Sequence, residues 1–109
     1  MLEATSPAGL QIHHVGTTLH VSGEVDIASA PLLAQALQSQ PGSVVCIDMQ
    51  EVPFIDSSGA HVLIRAAQTL KGTGCLILHG PQPPVARVFE MLGLTRMPNL
   101  HLLAGEGRS

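Results

Sequence analysis

A chain of 109 residues, 45% hydrophobic and only 12% charged, has enough apolar material for one domain with one core and too much for extended disorder. With two Phe and no Trp or Tyr, that core has to be aliphatic. A net charge of −3, without a basic stripe or an aromatic platform for stacking bases, argues against nucleic-acid binding.

Residues 1–9 read as a loose N-terminal tail containing Ser, Pro and Gly. Leu10 to Val15 and Leu19 to Gly23 alternate in polarity around Gly16-Thr17-Thr18, the pattern of a β-hairpin. Asp26 to Ala30 leads into a helix, with Ser29 as candidate N-cap, Pro31 in the first turn and an apolar face of Leu32, Leu33, Ala36 and Leu37. Pro41-Gly42 ends it. Ser43 to Met49 has the composition of a buried strand, Ser57 to Lys71 of a helix stopped by Gly72-Thr73-Gly74, and Cys75 to His79 of a second buried strand. A last helix starts at Pro83 or Pro84, faces inward through Val85, Val88, Phe89 and Leu92, and closes at Gly93. Asn99 to Leu103 reads as a short final edge strand and residues 104–109 as a tail.

The order ββαβαβα(β) predicts a single α/β domain over residues 10–103. Its core is a small mixed sheet of four to five strands, with parallel neighbours where strands alternate with helices. Right-handed crossovers put the helices mainly on one face. Functional loops in such sheets lie at the carboxyl ends of the strands. Two polar loops fall there: Gly23-Glu24-Val25-Asp26 and Asp56-Ser57-Ser58-Gly59.

Cys46 and Cys75 sit in apolar runs and read as buried free thiols, with no CxxC spacing for zinc. His13 and His14 are adjacent and point to opposite faces of a strand, so no metal role is expected, and nothing calls for a cofactor. No basic segment followed by an apolar one opens the chain, and no apolar run reaches the roughly 18 residues of a membrane span, which points to a soluble cytoplasmic protein.

The segment Phe54-Ile55-Asp56-Ser57-Ser58-Gly59 carries the functional signal. It places a carboxylate and two hydroxyls where a strand hands over to a helix, beside unpaired N–H groups and the positive end of the helix dipole. That is a favourable place for a negative group, including a phosphate on serine. Asp56 also has the chemistry of a helix cap. Gly59 fits a close approach of the helix to the neighbouring loop. At about 100° per residue, Gly59, Val62, Leu63, Ala66, Ala67 and Leu70 fall toward the sheet. Ser58, His61, Arg65 and Gln68 fall opposite, with Ile64 beside them. On this wheel Ser58 tops the exposed stripe and Ser57 points nearer the helix edge. Ser58 and His61 are helical neighbours, but there is no G-x-S-x-G elbow, and a convex helix face offers no pocket for an oxyanion. No catalytic role is expected.

In this order and spacing, four motifs resemble the STAS-domain anti-sigma-factor antagonists of bacteria, over roughly residues 10 to 103. They are Gly23-Glu24-Val25-Asp26; the apolar strand Val44-Val45-Cys46-Ile47 ending in Asp48; Phe54-Ile55-Asp56-Ser57-Ser58-Gly59; and Arg87-Val88-Phe89-Glu90-Met91-Leu92-Gly93-Leu94. The resemblance implies phosphorylation of the second serine, Ser58, rather than Ser57. The kinase would be an anti-sigma factor with the histidine-kinase-like ATPase fold, and a PP2C-type phosphatase would reverse the modification. It implies that the unphosphorylated chain binds the anti-sigma factor and frees the sigma factor. The corresponding docking surface is Glu24, Asp26, Asp56, Ser57, Ser58, Gly59, His61, Ile64, Arg65 and Gln68. Where the family often has Leu-Gly after the motif, this chain has Ala60-His61. The alternative is a STAS subunit with a structural role in a stressosome-like scaffold or a lipid-transport complex, in which Ser58 is incidental.

Overall fold

The computed structural model describes residues 3–5, 9–40, 42–70 and 74–104. The strands are β1 (Glu3–Thr5), β2 (Gln11–Val15), β3 (Thr18–Ser22), β4 (Val44–Glu51), β5 (Cys75–His79) and β6 (Leu100–Leu103). The helices are α1 (Ala30–Gln38), α2 (Ser57–Leu70) and α3 (Pro83–Met91), followed by a 3-10 turn at Leu94–Arg96. The six strands form one sheet in chain order. β1, β2 and β3 are antiparallel neighbours; β3, β4, β5 and β6 are parallel ones.

The expected α/β architecture is present, with one strand more than predicted. Glu3–Thr5 lies in the segment expected to be loose and pairs with β2, Ala4 opposite Ile12. Three residues are too short a run for an alternating pattern to register in sequence. The rest of the expected tails, residues 1–2, 6–8 and 105–109, and the expected helix stops at Pro41 and at residues 72–73, lie outside the described residues. Within them, α1 ends at Gln38, where the Ser39 N–H donates to the carbonyls of Gln35 and Leu37. The Gly74 N–H donates to the Leu70 carbonyl (2.7 Å).

The core sits between the sheet and its helices. Along β4, Val45, Ile47 and Met49 are buried while Cys46, Asp48 and Gln50 are half-buried; in β5, Leu76 and Leu78 are buried between half-buried neighbours. This period of two marks one covered face. Leu33, Leu63, Ala67, Val85 and Phe89 pack onto it from the three helices. Of the predicted inward positions, Leu32, Leu37, Val62, Ala66, Leu70 and Val88 are only partly buried, and Leu92 is exposed beyond the end of α3. Cys46 and Cys75 are free but half-buried, because both fall on the uncovered face. Burial still dominates the Cys46 thiol, pushing its pKa up against a hydrogen bond with Thr18, with Asp48 adding to the rise.

The uncovered face carries its own polar cluster. Asp48 accepts from the Gln50 N–H (3.1 Å) and faces His20 Nδ1 (3.1 Å). Partial burial acts to raise its pKa, but the Gln50 hydrogen bonds and the neighbouring His20 and His79 outweigh it, and the net shift is downward.

Candidate functional site

Parallel pairing brings the carboxyl ends of β3 and β4 together, so their following loops share one edge. Backbone hydrogen bonds lace those loops: Gly23 N–H to Glu51 O, Val25 N–H to Phe54 O and Asp56 N–H to Val25 O, each 3.0 Å. Val25 and Ile55 form a parallel bridge and are both buried. Glu24-Val25-Asp26 is thereby held beside Ile55-Asp56-Ser57, as the sequence implied.

Each loop also organises itself. Asp56 Oδ1 accepts from the Gly59 N–H (3.1 Å), so Asp56 caps α2 as its chemistry suggested. Asp26 Oδ1 accepts from the N–H groups of Ala28 (3.0 Å) and Ser29 (3.1 Å), capping the turn that enters α1. Ser29 occupies the N-cap position of α1 but makes no side-chain cap bond. Its fully buried hydroxyl donates to Glu24 O (3.0 Å) and accepts from the Asp26 N–H (3.0 Å). The expected cap is instead a tie that holds the acidic loop in place.

Gly59 is buried where α2 crosses this bridge. A Cβ there would collide with Val25 Cγ1 and would meet Ile55 Cγ1 at 2.8 Å, so the absence of a side chain permits the close approach. Gly23 has φ +101°, and a Cβ would fall 2.6 Å from the Gly9 carbonyl oxygen. It lets the acidic loop leave β3 at that angle.

The two serines differ from the helical-wheel expectation. Ser57 is exposed and Ser58 is half-buried. The exposed stripe of α2 is Ser57, His61, Arg65, Gln68 and Thr69. Ser58 sits one turn above Val62 and two above Ala66, which line a cleft against α1, so it belongs to the flank of α2 that turns toward α1. Ile64 is half-buried against the core rather than part of the stripe. His61 Nδ1 donates to the Ser57 carbonyl (2.7 Å), a local backbone bond that leaves it unavailable as a base for Ser58 through that nitrogen.

Two apolar side chains at this edge are absent from the expected docking surface: Ile27, which the sequence did not mark, and Phe54, which it marked only as the start of the motif. Ile27 is 76% exposed and Phe54 48% exposed. Each lies within two residues of the Val25–Ile55 bridge. The available signal was an isolated apolar residue beside a polar loop motif. Among the described residues, no group of three or more His, Cys, Asp or Glu is placed to hold a metal ion.

Residues 8–105 match the family model for the STAS domain. The chain belongs to the STAS-domain family. The anti-sigma-B factor antagonist of Listeria monocytogenes is similar to this STAS domain, 34% identical over 92 residues that cover 81% of each chain. An anti-sigma factor antagonist from Mycobacterium paratuberculosis shares its structure with TM-score 0.71 and 25% identity over 90% of each chain. SpoIIAA shares the fold at lower identity. Its unphosphorylated form has 23% identity and TM-score 0.67 over 90% of each chain. The phosphorylated form from Bacillus has 21% and 0.63, over 90% of this chain and 93% of that one. These relatives are anti-sigma factor antagonists, a regulatory, non-enzymatic family. No helix among the described residues is long and apolar enough to cross a membrane.

Proposed function

We propose that this STAS domain is an anti-sigma-factor antagonist switched off by phosphorylation of Ser58. The observation that carries the reading is the joined edge itself. The motif Asp56-Ser57-Ser58-Gly59 opens α2 and is bonded through Asp56 and Val25 to the Glu24–Asp26 loop, with Ile27 and Phe54 exposed close by. Exposed apolar groups beside fixed carboxylates make a surface that a protein partner can desolvate and read. The name of the Listeria relative, which meets this chain over 81% of its length, gives the partner class.

The docking surface comprises Glu24, Asp26, Ile27, Phe54, Asp56, Ser57, Ser58, Gly59 and His61, extended down the stripe by Arg65 and Gln68; Ile64 supports it from below. The unmodified chain binds an anti-sigma factor that is also a serine kinase of the histidine-kinase-like ATPase fold, and a PP2C-type phosphatase reverses the modification. Ser58 is preferred over the more exposed Ser57 because it occupies the position that is modified in the resembling motif, and half-burial leaves its hydroxyl within reach of a kinase.

The physics of the switch is local. A phosphate adds about −1.5 to −2 charges. On the first turn of α2 it sits at the positive end of the helix, so the fold tolerates it. At the interface it joins Glu24, Asp26 and Asp56, and the partner has to desolvate more like charge. A loss of about 4 kcal/mol weakens binding roughly a thousandfold.

The test is titration of the cognate anti-sigma factor with the wild type, its stoichiometrically phosphorylated form, Ser58→Ala and Ser58→Asp. Ser58→Ala is expected to bind like the unmodified wild type and to resist phosphorylation. Ser58→Asp is expected to bind at least about tenfold more weakly, on the scale of one unfavourable buried charge. Equal affinity for all four forms refutes the switch.

A further inference from the structure

The helix layer over the sheet does not close between α1 and α2. The C-terminal halves of α1 (Ala34, Leu37, Gln38) and α2 (Ala66, Thr69, Leu70) face each other across a gap. A cavity of about 400 Å³ opens there. Its floor is Val45 of β4 and Leu76 of β5, and its walls include Leu37 of α1 and Val62, Ala66 and Leu70 of α2. An open cleft of this size and largely apolar lining falls in the range of small-ligand sites.

The polar groups around the cavity narrow the chemistry. The Gln40 amide is already used: its Nε2 donates to Gly16 O (3.0 Å) and its Oε1 faces His14 Nδ1 (3.1 Å). The Thr69 hydroxyl donates to the Arg65 carbonyl (3.0 Å). Among the described residues, Arg65 is the one charged side chain on the lining, and no carboxylate lies there with it. Among the described residues its guanidinium has no ion-pair partner. An apolar trough with one uncommitted cation at its side is complementary to an alkyl chain ending in a carboxylate.

We propose that the cleft between α1 and α2 binds a medium-chain fatty acid, its alkyl chain lying over Val45 and Leu76 and its carboxylate pairing with Arg65. The cleft shares Arg65 with the proposed docking stripe, but ligand binding is read on the isolated chain, so its test does not depend on the partner-switch reading.

The intact chain is titrated with octanoate, decanoate and decanol below their micelle concentrations, by calorimetry and by amide chemical-shift mapping. Saturable one-to-one decanoate binding is expected, with shifts centred on Leu37, Val45, Val62 and Leu76. Each buried methylene is worth about fourfold in affinity, so decanoate, with two more, should bind roughly sixteenfold more tightly than octanoate. Arg65→Gln is expected to weaken decanoate by about tenfold, the scale of one charge-assisted hydrogen bond, and to leave decanol unchanged. Ala66→Leu, which fills the cleft, is expected to abolish binding of both. Ala34→Leu, from the facing wall, repeats that test if circular dichroism shows Ala66→Leu to be misfolded. Absence of saturable binding, shifts elsewhere, retained affinity in the filled variants, or equal weakening of decanoate and decanol by Arg65→Gln each overturns the proposal.

Discussion

Asp56 stands where folding and recognition meet, and two substitutions separate the roles. Its Oδ1 accepts the Gly59 N–H at 3.1 Å, and the next turn begins with Ala60 N–H donating to the Asp56 carbonyl at 3.0 Å. Asp56→Ala removes the cap acceptor and the charge at the positive end of α2. Losing a cap costs about 0.5–2 kcal/mol, and the charge–dipole attraction contributes about 0.3–1 kcal/mol within that range. Asp56→Ala should therefore lose about 1–2 kcal/mol, and Asp56→Asn, which keeps the oxygen but not the charge, about half as much. For a domain near 100 residues, 1 kcal/mol corresponds to roughly 4–8 °C in Tm. With no Trp or Tyr, urea unfolding is best followed by far-ultraviolet circular dichroism, with the midpoint shifting at constant slope. The same two proteins are titrated with the anti-sigma factor. If Asp56 is also read by the partner, Asp56→Asn loses affinity while remaining well folded. A stable Asp56→Ala refutes the capping argument. Full partner affinity in Asp56→Asn removes Asp56 from the docking surface.

Other positions make independent predictions. Gly59→Ala gains about 1 kcal/mol of helix propensity but forces a methyl against Val25 and Ile55, an overpacking cost of about 1–3 kcal/mol, so thermal melting should show a net loss; a higher Tm would contradict the close approach. Ser29→Ala leaves the Glu24 carbonyl and the Asp26 N–H without their shared hydroxyl. It should cost about 1–3 kcal/mol in urea unfolding and reduce anti-sigma-factor binding through the loosened acidic loop. Asp48 has a lowered pKa in the fold, so the unfolded chain binds its proton more readily and stability rises with pH through that interval. This contribution is present above about pH 4, the ordinary aspartate value, and is lost as pH falls through the lower folded value; Asp48→Asn should flatten the acid limb of a stability–pH profile. The raised pKa of Cys46 predicts slower alkylation than a free thiol near pH 8, measured by peptide mass spectrometry after timed iodoacetamide treatment.

Much of this molecule was legible in its residue order, because the decisive interactions are local or periodic. Alternation in β2 and β3, the apolar runs of β4 and β5, and helical spacing in α1, α2 and α3 place the elements. The β–α alternation then dictates parallel pairing with helices on one face. Asp56 as a cap and Gly59 as a close-contact residue follow from chemistry within three or four positions of the chain. The joining of the Glu24–Asp26 loop to the Asp56–Gly59 motif follows from both loops leaving neighbouring parallel strands at the same end.

Tertiary structure alone decided the rest. A helical wheel knows the direction of the sheet but not that of α1; in the fold Ser58, in line with the cleft-lining Val62 and Ala66, is half-buried, and Ser57 is exposed. Ser29 looks like an N-cap in sequence because Ser caps helices. In the fold its hydroxyl is fully buried and bonds back to Glu24 and Asp26, a partnership set by the path of the loop. Cys46 and Cys75 lie in runs as apolar as any core strand, yet only one face of the sheet is covered, and pairing puts both thiols on the other. The cleft beside Arg65 lies between two helices that sequence places but does not lay side by side. Exposure is a property of what stands next to a residue in space, and for these positions the neighbour comes from a distant part of the chain.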